Sequence, residues 1–266
     1  HPLAAGRIRE IAAGVISTWE DLVARELEQV HGALEGRRLY RRYVRAESRS
    51  GLYRELTPPA EVPDDVRLFE VLEGRLELGL VPHSAESLVL KVISPRPAGL
   101  TETLRTIRNL GPTVVEEMRI PLVLPEGKKA WMERLRVEAD PAMVAAIHGQ
   151  PDRLRDALRA IWEERATDDP LNELVLKEGL DWREVEVLRT LRNHLLQVRP
   201  NYNVETVTSV LVRNSPVAGA LWQLFSARFD PHRDGDRAEA VARAEALVKE
   251  AFAAVGSLFD DEILRG

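Results

Sequence analysis

Hydrophobic positions at spacings of three and four residues predict a long amphipathic helix over residues 8–34. Gly14 weakens this pattern. Ser17 and Glu20 have the spacing of a capping box, which would restart the helix there. A continuous helix with a glycine at a packing contact fits the same residues. The apolar positions are Ile8, Ile11, Val15, Ile16, Trp19, Leu22, Val23, Leu27, Val30 and Leu34.

The pattern predicts a shorter helix after Gly36, through residues 39–44. Pro58-Pro59 then breaks the chain, because proline lacks the amide hydrogen and disfavours helix in the residue before it. Residues 1–74 are therefore predicted to form a helical region.

Beyond Gly74 the pattern changes to β-branched residues and alternation, which are typical of strands. A helix over residues 99–111, with a glycine at its end, separates the second strand from the third. Glu126-Gly127-Lys128 has the composition of a hairpin turn. The predicted strands are residues 75–80, 87–94, 113–124 and 130–139.

After Ala139 the helical period returns, and each helix has a recognisable start. Three pairs place a capping side chain before a proline at the first helical position, and Asp181 with Glu184 is a further start signal. The pairs are Asp140-Pro141, Asp169-Pro170 and Ser215-Pro216. The predicted helices are residues 141–166, 170–178, 181–198, 203–213, 216–228 and 236–256.

The fold class predicted from these elements is α+β and predominantly α-helical. Its three parts are a helical region over residues 1–74, a small α/β unit over 75–140 and a helical domain over 141–266. We find no internal repeat of fixed period.

Composition narrows the class of protein. The chain has 266 residues, 44% of them hydrophobic, so it can bury a core and form more than one unit. With 37 basic and 43 acidic residues interspersed, no nucleic-acid partner is predicted, and no run of about 18 apolar residues suggests a membrane span. Cysteine is absent, which excludes disulfides and is compatible with a reducing cytoplasm, the predicted location. The scattered histidines predict no metal site.

Catalytic motifs are also missing from the sequence. The sixteen glycines never form GxGxxG, and neither GxxxxGK, HExxH nor GxSxG occurs. We therefore predict no catalytic residue and no bound cofactor in this chain.

The sharpest local motif is ISPRPAGLTETLRTIRNLG, residues 93–111. It resembles the strand, loop and helix of ACT domains, where a proline and a glycine let a small amino acid approach the backbone. Gly99 can adopt positive φ and expose amides at the start of the helix, which suits a carboxylate. Ala98 separates Pro97 from Gly99, unlike the usual Pro-Gly pair. The candidate effector-binding residues are Arg96, Ala98, Gly99 and Leu100; the alternative is that this loop is simply a tight connection.

The aromatic residues at helical spacing are predicted to be core residues rather than ligand contacts. In ARFDP, Arg228 and Asp230 either pair across a helix end as a structural lock or hold a neighbouring domain or ligand. The residues given a structural role are Trp19, Tyr40, Tyr43, Trp182, Phe225, Arg228, Phe229 and Asp230, with Phe225 and Phe229 predicted to be buried one turn apart.

Four blocks carry a resemblance that covers nearly the whole chain. They are STWEDL (17–22), LYRRY (39–43), GLDWREVEVLRTLRNHLLQ (179–197) and LWQLFSARFDP (221–231). They resemble the non-catalytic middle of the large bacterial NAD-dependent glutamate dehydrogenases, where ACT-like domains and helical motifs precede a catalytic domain. DDEILRG (260–266) is similar to the run that leads into that domain, so we expect the chain to stop before it. Its opening on His1 rather than Met suggests that it is cut from something longer.

The resemblance implies a ferredoxin-like βαββ sheet unit of the ACT type between helical regions, and NAD as cofactor of the parent enzyme only. The partners it implies are the catalytic domain of the same parent chain, a second copy of the chain and a small amino-acid effector. A free-standing ACT-like amino-acid sensor or a protein-interaction module is the alternative function.

Overall fold

The computed structural model describes residues 17–44, 51–97, 99–233 and 235–265. These residues are mostly helical, with one small four-stranded sheet. The predicted α+β class is confirmed.

Helices occupy the described part of the chain before the sheet. Helix α1 is capped by Thr18, whose hydroxyl accepts from the Asp21 amide at 3.2 Å while the Asp21 carboxylate accepts from the Thr18 amide at 3.0 Å. This capping box lies one residue beyond the predicted Ser17 and Glu20. The elements are α1 (Trp19–His31), α2 (Ala33–Leu39), a π-helical turn (Tyr40–Val44), α3 (Gly51–Leu56), a 3₁₀ turn (Pro59–Glu61) and α4 (Val62–Val71).

Two glycines shape the join between α1 and α2. Residues 8–16 of the predicted first helix, including Gly14, lie outside the described residues. The predicted end of that helix at Leu34 is wrong, because Gly32 has φ +82° and ends α1. Gly36 was predicted to precede the next helix but lies inside α2. A Cβ on Gly36 would sit 2.6 Å from the Glu28 Cα and from the Leu27 carbonyl carbon. Only glycine permits this close backbone contact between α1 and α2.

Substitution of Gly36 by alanine should destabilise this helix pair by about 1–3 kcal/mol, because the added methyl group meets backbone rather than a movable side chain. Urea unfolding of the variant measures the loss. Gly51→Ala is the matched control, since a Cβ there has no neighbour within 4 Å. Equal stability of the two variants would show that the α1–α2 contact is not tight.

The sheet follows in four strands, each within two residues of its predicted bounds. They are β1 (Glu77–Pro82), β2 (Ser87–Ser94), β3 (Thr113–Val123) and β4 (Lys129–Glu138). The sheet is antiparallel, with strand order β1-β2-β4-β3. Every residue of the inner strand β2 is buried. Pro121 lies on the edge strand β3, where a missing amide donor is tolerated.

The two predicted connections within this region are confirmed. Helix α5 (Leu100–Asn109) follows β2, and Gly111 ends its turn with φ +112°. Glu126 and Gly127 have φ +65° and +74°, and the Leu124 amide donates to the Lys128 carbonyl at 2.7 Å, closing the β3–β4 hairpin.

The remaining described residues form eight helices, and six of them lie at or near the predicted starts. The single helix over 141–166 is wrong, because Pro151 starts a new helix after Gln150. The final short helix was not predicted. The helices are α6 (Pro141–Gly149), α7 (Pro151–Trp162), α8 (Leu174–Lys177, after a 3₁₀ turn Pro170–Glu173), α9 (Trp182–Val198), α10 (Val204–Arg213), α11 (Ser215–Phe229), α12 (Arg237–Ala253) and α13 (Leu258–Arg265).

The chain divides into two compact units rather than along a single boundary. Unit 1 comprises His1–Pro82, Val89–Ala98 and Glu116–Arg136, and unit 2 comprises His83–Leu88, Gly99–Val115 and Val137–Gly266, within the described residues. The core of unit 1 joins α1, α2 and α4 to the sheet. Its fully buried side chains include Val23, Leu27, Tyr53, Val62, Val66, Ile93, Ile120 and Met132. The three-part division at residues 74 and 140 stays a prediction.

Candidate functional site

The residues at each end of the predicted effector loop make local hydrogen bonds. In unit 1 the Ser94 hydroxyl donates to the Arg96 carbonyl at 2.7 Å. In unit 2 the carbonyl of Gly99 accepts from the Thr103 amide at 3.0 Å at the start of α5. Ala98 lies outside the described residues, and of Leu100 only the backbone, as the first residue of α5, is described.

Gly99 does not have the conformation expected of it. Its φ is −64° and its ψ is 129°, so the expectation of positive φ is wrong, and any residue can adopt this backbone. A Cβ there would meet only the Glu102 carboxylate, at 3.0 Å from Oε2. The acidic group of Glu102 therefore lies beside the α5 start, where an effector carboxylate was expected.

A second set of polar residues forms a connected network in unit 2, and only Asp169 among them was predicted to have a role, as a helix cap. We call it the Asp168–Asp169 hub; it consists of Asp168, Asp169, Asn172, Arg189, Arg192 and Thr208. Asp169 binds Arg189 in bidentate geometry, with Nε–Oδ2 at 3.0 Å and Nη2–Oδ1 at 2.8 Å. Its Oδ2 also accepts from Arg192 Nη1 at 2.9 Å. Both arginines are buried.

Further hydrogen bonds extend the hub to neighbouring helices. Arg189 also donates to Asn172 Oδ1 at 2.8 Å and pairs with Glu186. Arg192 Nη1 donates to the Thr208 hydroxyl at 2.9 Å. Asp169 itself caps the 3₁₀ turn through the Leu171 amide. One carboxylate thus joins α9 to the segment before α8, and Arg192 joins α9 to α10.

Asp168 connects the hub to α5. Its carboxylate accepts from Arg105 Nε at 3.0 Å, from the Thr106 hydroxyl at 2.9 Å and from Asn109 Nδ2 at 2.8 Å. Three side chains from two adjacent turns of α5 therefore bind one carboxylate. The adjacent residues Asp168 and Asp169 thus bind different helices of unit 2: Asp168 binds α5 and Asp169 binds α9.

Two aspartates of unit 2, Asp169 and Asp260, have pKa values below the ordinary aspartate value. Burial alone would raise the pKa of Asp169, but Arg189 and Arg192 hold that pKa below its ordinary value. Hydrogen bonds from Arg213 and Asn214 lower the pKa of Asp260. Asp260 fastens α13 to the end of α10, with Arg213 Nη2 at 2.7 Å from its Oδ1.

Unit 2 should therefore lose stability as the pH falls below about 4, the ordinary aspartate pKa in an unfolded chain. A lowered pKa in the folded state stabilises the fold above the unfolded value, and protonation removes that contribution on acidification. Urea unfolding followed by hydrogen exchange in α9 at a series of pH values measures this dependence. It should be shallower in Asp169→Asn; an unchanged dependence would rule out Asp169 as its source.

Unit 1 contains a separate cluster around Lys91, which is 1% exposed. Its Nζ lies 2.6 Å from Asp65 Oδ1 and 2.7 Å from Glu61 Oε2. The Tyr53 hydroxyl donates to Asp65 Oδ2 at 2.7 Å, and Arg134 Nη1 donates to Glu61 Oε2 at 2.6 Å. Burial raises the pKa of Asp65 against the attraction of Lys91. Every charged group here has a charged partner, so the cluster ties α4 to the sheet.

The aromatic residues given a structural role differ in burial. Tyr43 is buried against Phe69, with ring centroids 6.2 Å apart, and Tyr40 is half-buried. Trp19 Nε1 donates to the Thr57 carbonyl at 2.8 Å. Trp182 lies under the Arg183 guanidinium, 4.3 Å from its ring centroid.

At the end of α11, Arg228 and Asp230 bind other residues rather than each other. Phe225 is half-buried, but Phe229 is 64% exposed, so its predicted burial is wrong. Arg228 pairs with Glu245 at 2.7 Å, while Asp230 accepts from the His232 amide at 2.9 Å. Arg237 supplies the lock at this helix end. It donates to the carbonyls of Ala227, Arg228 and Asp230.

The described residues hold no group of three or more metal-ligating side chains. None of their helices is both long and apolar enough to cross a membrane.

Comparison with known proteins places the hub in a recognised segment. Residues 166–231 match the family model described as "Glutamate dehydrogenase, helical motif 3". All hub residues lie in this range.

Three relatives share most of the chain. The NAD-specific glutamate dehydrogenase of Mycobacterium tuberculosis is 28% identical over 225 residues, which are 81% of this chain and 14% of that protein. That of Halomonas elongata is 30% identical over 172 residues, 64% of this chain and 10% of that protein. That of Pseudomonas aeruginosa is 28% identical over 172 residues, 64% of this chain and 11% of that protein.

The chain thus spans between a tenth and a seventh of the length of these relatives. The predicted resemblance is confirmed: over most of its length, this chain is similar to a segment of the large NAD-specific glutamate dehydrogenases.

Proposed function

We propose that the chain is a non-catalytic, regulatory and architectural segment of an NAD-dependent glutamate dehydrogenase. The whole protein would convert L-glutamate, NAD and water to 2-oxoglutarate, ammonium and NADH. The observation that carries this proposal is that the Asp168–Asp169 hub falls within the helical motif 3 match. Its charged side chains are bound to one another, as in a scaffold.

The start of α5 does not fit a dinucleotide. The turn from β2 into α5 has a single glycine at the helix start, and the Glu102 carboxylate lies beside it. A pyrophosphate needs a glycine-lined helix start free of negative charge. We therefore assign no step in this segment to NAD.

The proposed work of the segment is to position the catalytic domain of the parent chain in the cytoplasm, and to oligomerise with a second copy. The hub supports this because a bidentate, buried arginine pair fixes helices in one geometry. Rigid helices are suited to holding a neighbouring domain in place.

The test compares two polypeptides. The 266-residue chain, purified and supplied with glutamate and NAD, should form no NADH. The full product of the reading frame that encodes these residues should form it. Turnover by the shorter chain would refute a non-catalytic role, and inactivity of the full product would refute the parent activity.

The sheet unit is proposed to be ACT-like. Its support is the topology, since β4 lies between β2 and β3 while α5 connects β2 to β3. This is the βαββ arrangement of a ferredoxin-like half. A small amino acid is the proposed effector at Arg96, Ala98, Gly99 and Leu100, as a sensor module would require.

Calorimetric titration with a panel of amino acids tests the effector. Saturable heat that Gly99→Val removes would support the site. Gly256→Val is the control, because a Cβ there has no neighbour within 4 Å. Flat titrations would leave the loop with a structural role only.

A further inference from the structure

A small cavity lies between α1 and the turn that follows α2. Its volume is about 110 Å³, and it is lined by Ala24, Glu28, Arg37, Tyr40 and Arg41. Gly36 brings the two helices into backbone contact next to it. A single water needs roughly 10–15 Å³ measured in the same way, so the cavity has room for a group larger than water.

The cavity is lined partly by a local irregularity of the backbone. The helix changes from α to π geometry at Tyr40 and keeps it through Val44. Single π turns inside helices are frequently found at functional sites. Here the change places the consecutive side chains of Tyr40 and Arg41 on the cavity wall.

The residues that line the cavity carry one negative charge, on Glu28, and two positive charges, on Arg37 and Arg41. Arg37 Nε lies 2.9 Å from Glu28 Oε1, and this ion pair neutralises both groups. Arg41 is exposed and has no ion-pair partner among the described residues. Its neighbour Arg42 does have one, Glu126, at 3.5 Å, and it also lies over the Tyr43 ring. The lining therefore carries one uncompensated positive charge.

We infer that this cavity, which we name the Arg41 pocket, binds a small oxyanion, the carboxylate or phosphate of a metabolite. A guanidinium presents paired donors to either group, and charge-assisted hydrogen bonds of this kind are the strong ones. Arg37 offsets the repulsion between the Glu28 carboxylate and the anion, because its guanidinium lies 2.9 Å from that carboxylate. This site is separate from the loop at Gly99 and does not depend on the proposed parent activity.

Titration of the isotope-labelled 266-residue chain with acetate and with inorganic phosphate, at constant ionic strength balanced with chloride, tests the pocket. Backbone amide signals of Ala24 and Tyr40 should shift and saturate. Arg41→Gln should weaken this binding by about tenfold or more. The anion that binds more tightly identifies whether the natural ligand carries carboxylate or phosphate.

Two further variants separate a pocket from surface charge. Arg42→Gln removes the same charge one residue away, outside the cavity, and should leave affinity within about twofold. Ala24→Leu fills the cavity without changing any charge and should abolish the shifts. Equal losses from Arg41→Gln and Arg42→Gln, full binding by Ala24→Leu, or no saturation with either anion would each overturn the inference.

Discussion

Replacement of Asp65 by leucine should destabilise unit 1 by about 3–5 kcal/mol, the cost of leaving a buried charge without its partner. Lys91 is 1% exposed, and its Nζ would lose the Asp65 carboxylate 2.6 Å away. The buried Tyr53 hydroxyl would lose its acceptor at the same time. Glu61 remains 2.7 Å from Lys91, so the ammonium is not left entirely alone.

Replacing the three buried polar residues together should recover most of the stability lost in Asp65→Leu. The triple variant Tyr53→Phe, Asp65→Leu, Lys91→Met replaces every buried polar partner by an apolar group, and such exchanges are often neutral or stabilising. Guanidinium unfolding, with hydrogen exchange in α4 as the readout for unit 1, measures both variants. If the triple variant were as unstable as Asp65→Leu alone, desolvation would not be the origin of the effect.

Replacement of Asp169 by alanine should destabilise unit 2 by about 3 kcal/mol, near the lower end of the cost of breaking a buried ion pair. Two guanidiniums, 4% and 5% exposed, lose their shared carboxylate. The loss is moderated because Arg189 keeps Glu186 and Asn172, and Arg192 keeps Thr208. The cap of the 3₁₀ turn is lost as well.

Asp152→Ala is the matched control for that experiment. Asp152 also pairs with an arginine, Arg155 at 2.9 Å, but its side chain is 76% exposed, so its loss should cost no more than about 1 kcal/mol. Hydrogen exchange in α9 should accelerate in Asp169→Ala alone, while exchange in α4 of unit 1 stays unchanged. Similar exchange in both variants would mean that the hub contributes no more than a surface pair.

These two clusters support the proposed scaffold role. In each, carboxylates and cations bind one another at hydrogen-bonding distance inside a unit. Breaking either should change stability before it changes any chemistry. In the proposed parent enzyme, we expect Asp169→Ala to reduce the amount of folded protein more than its affinity for glutamate.

The positions of the elements followed from local pattern. Asp181 with Glu184 predicted the start of α9, and both hydrogen bonds of that capping box are present. All four strands were found from alternation. Where two local solutions competed, prediction failed: Thr18 with Asp21 has the same spacing as Ser17 with Glu20, and only the packing of α1 decides between them.

The candidate site was harder to predict. Gly99 was singled out because glycine permits positive φ, yet its backbone is ordinary. Asp169 was recognised only as a helix cap, although it also binds two arginines 20 and 23 residues away. Lys91 lies in an alternating strand pattern, where nothing signals a buried charge. The spacing of Arg189 and Arg192, three residues apart on one helix face, was the one available signal.

The sequence by itself determined the α+β class, the order of helices and strands and the kinship with NAD-specific glutamate dehydrogenases. Periodicity, helix caps and turn residues depend on a few neighbouring residues, so they can be recognised in the sequence alone. The tertiary structure alone decided which charges are buried and paired, where Gly36 brings two helices together and that Phe229 is exposed. Those outcomes depend on residues brought close by folding, and no local pattern records which distant partner each will meet.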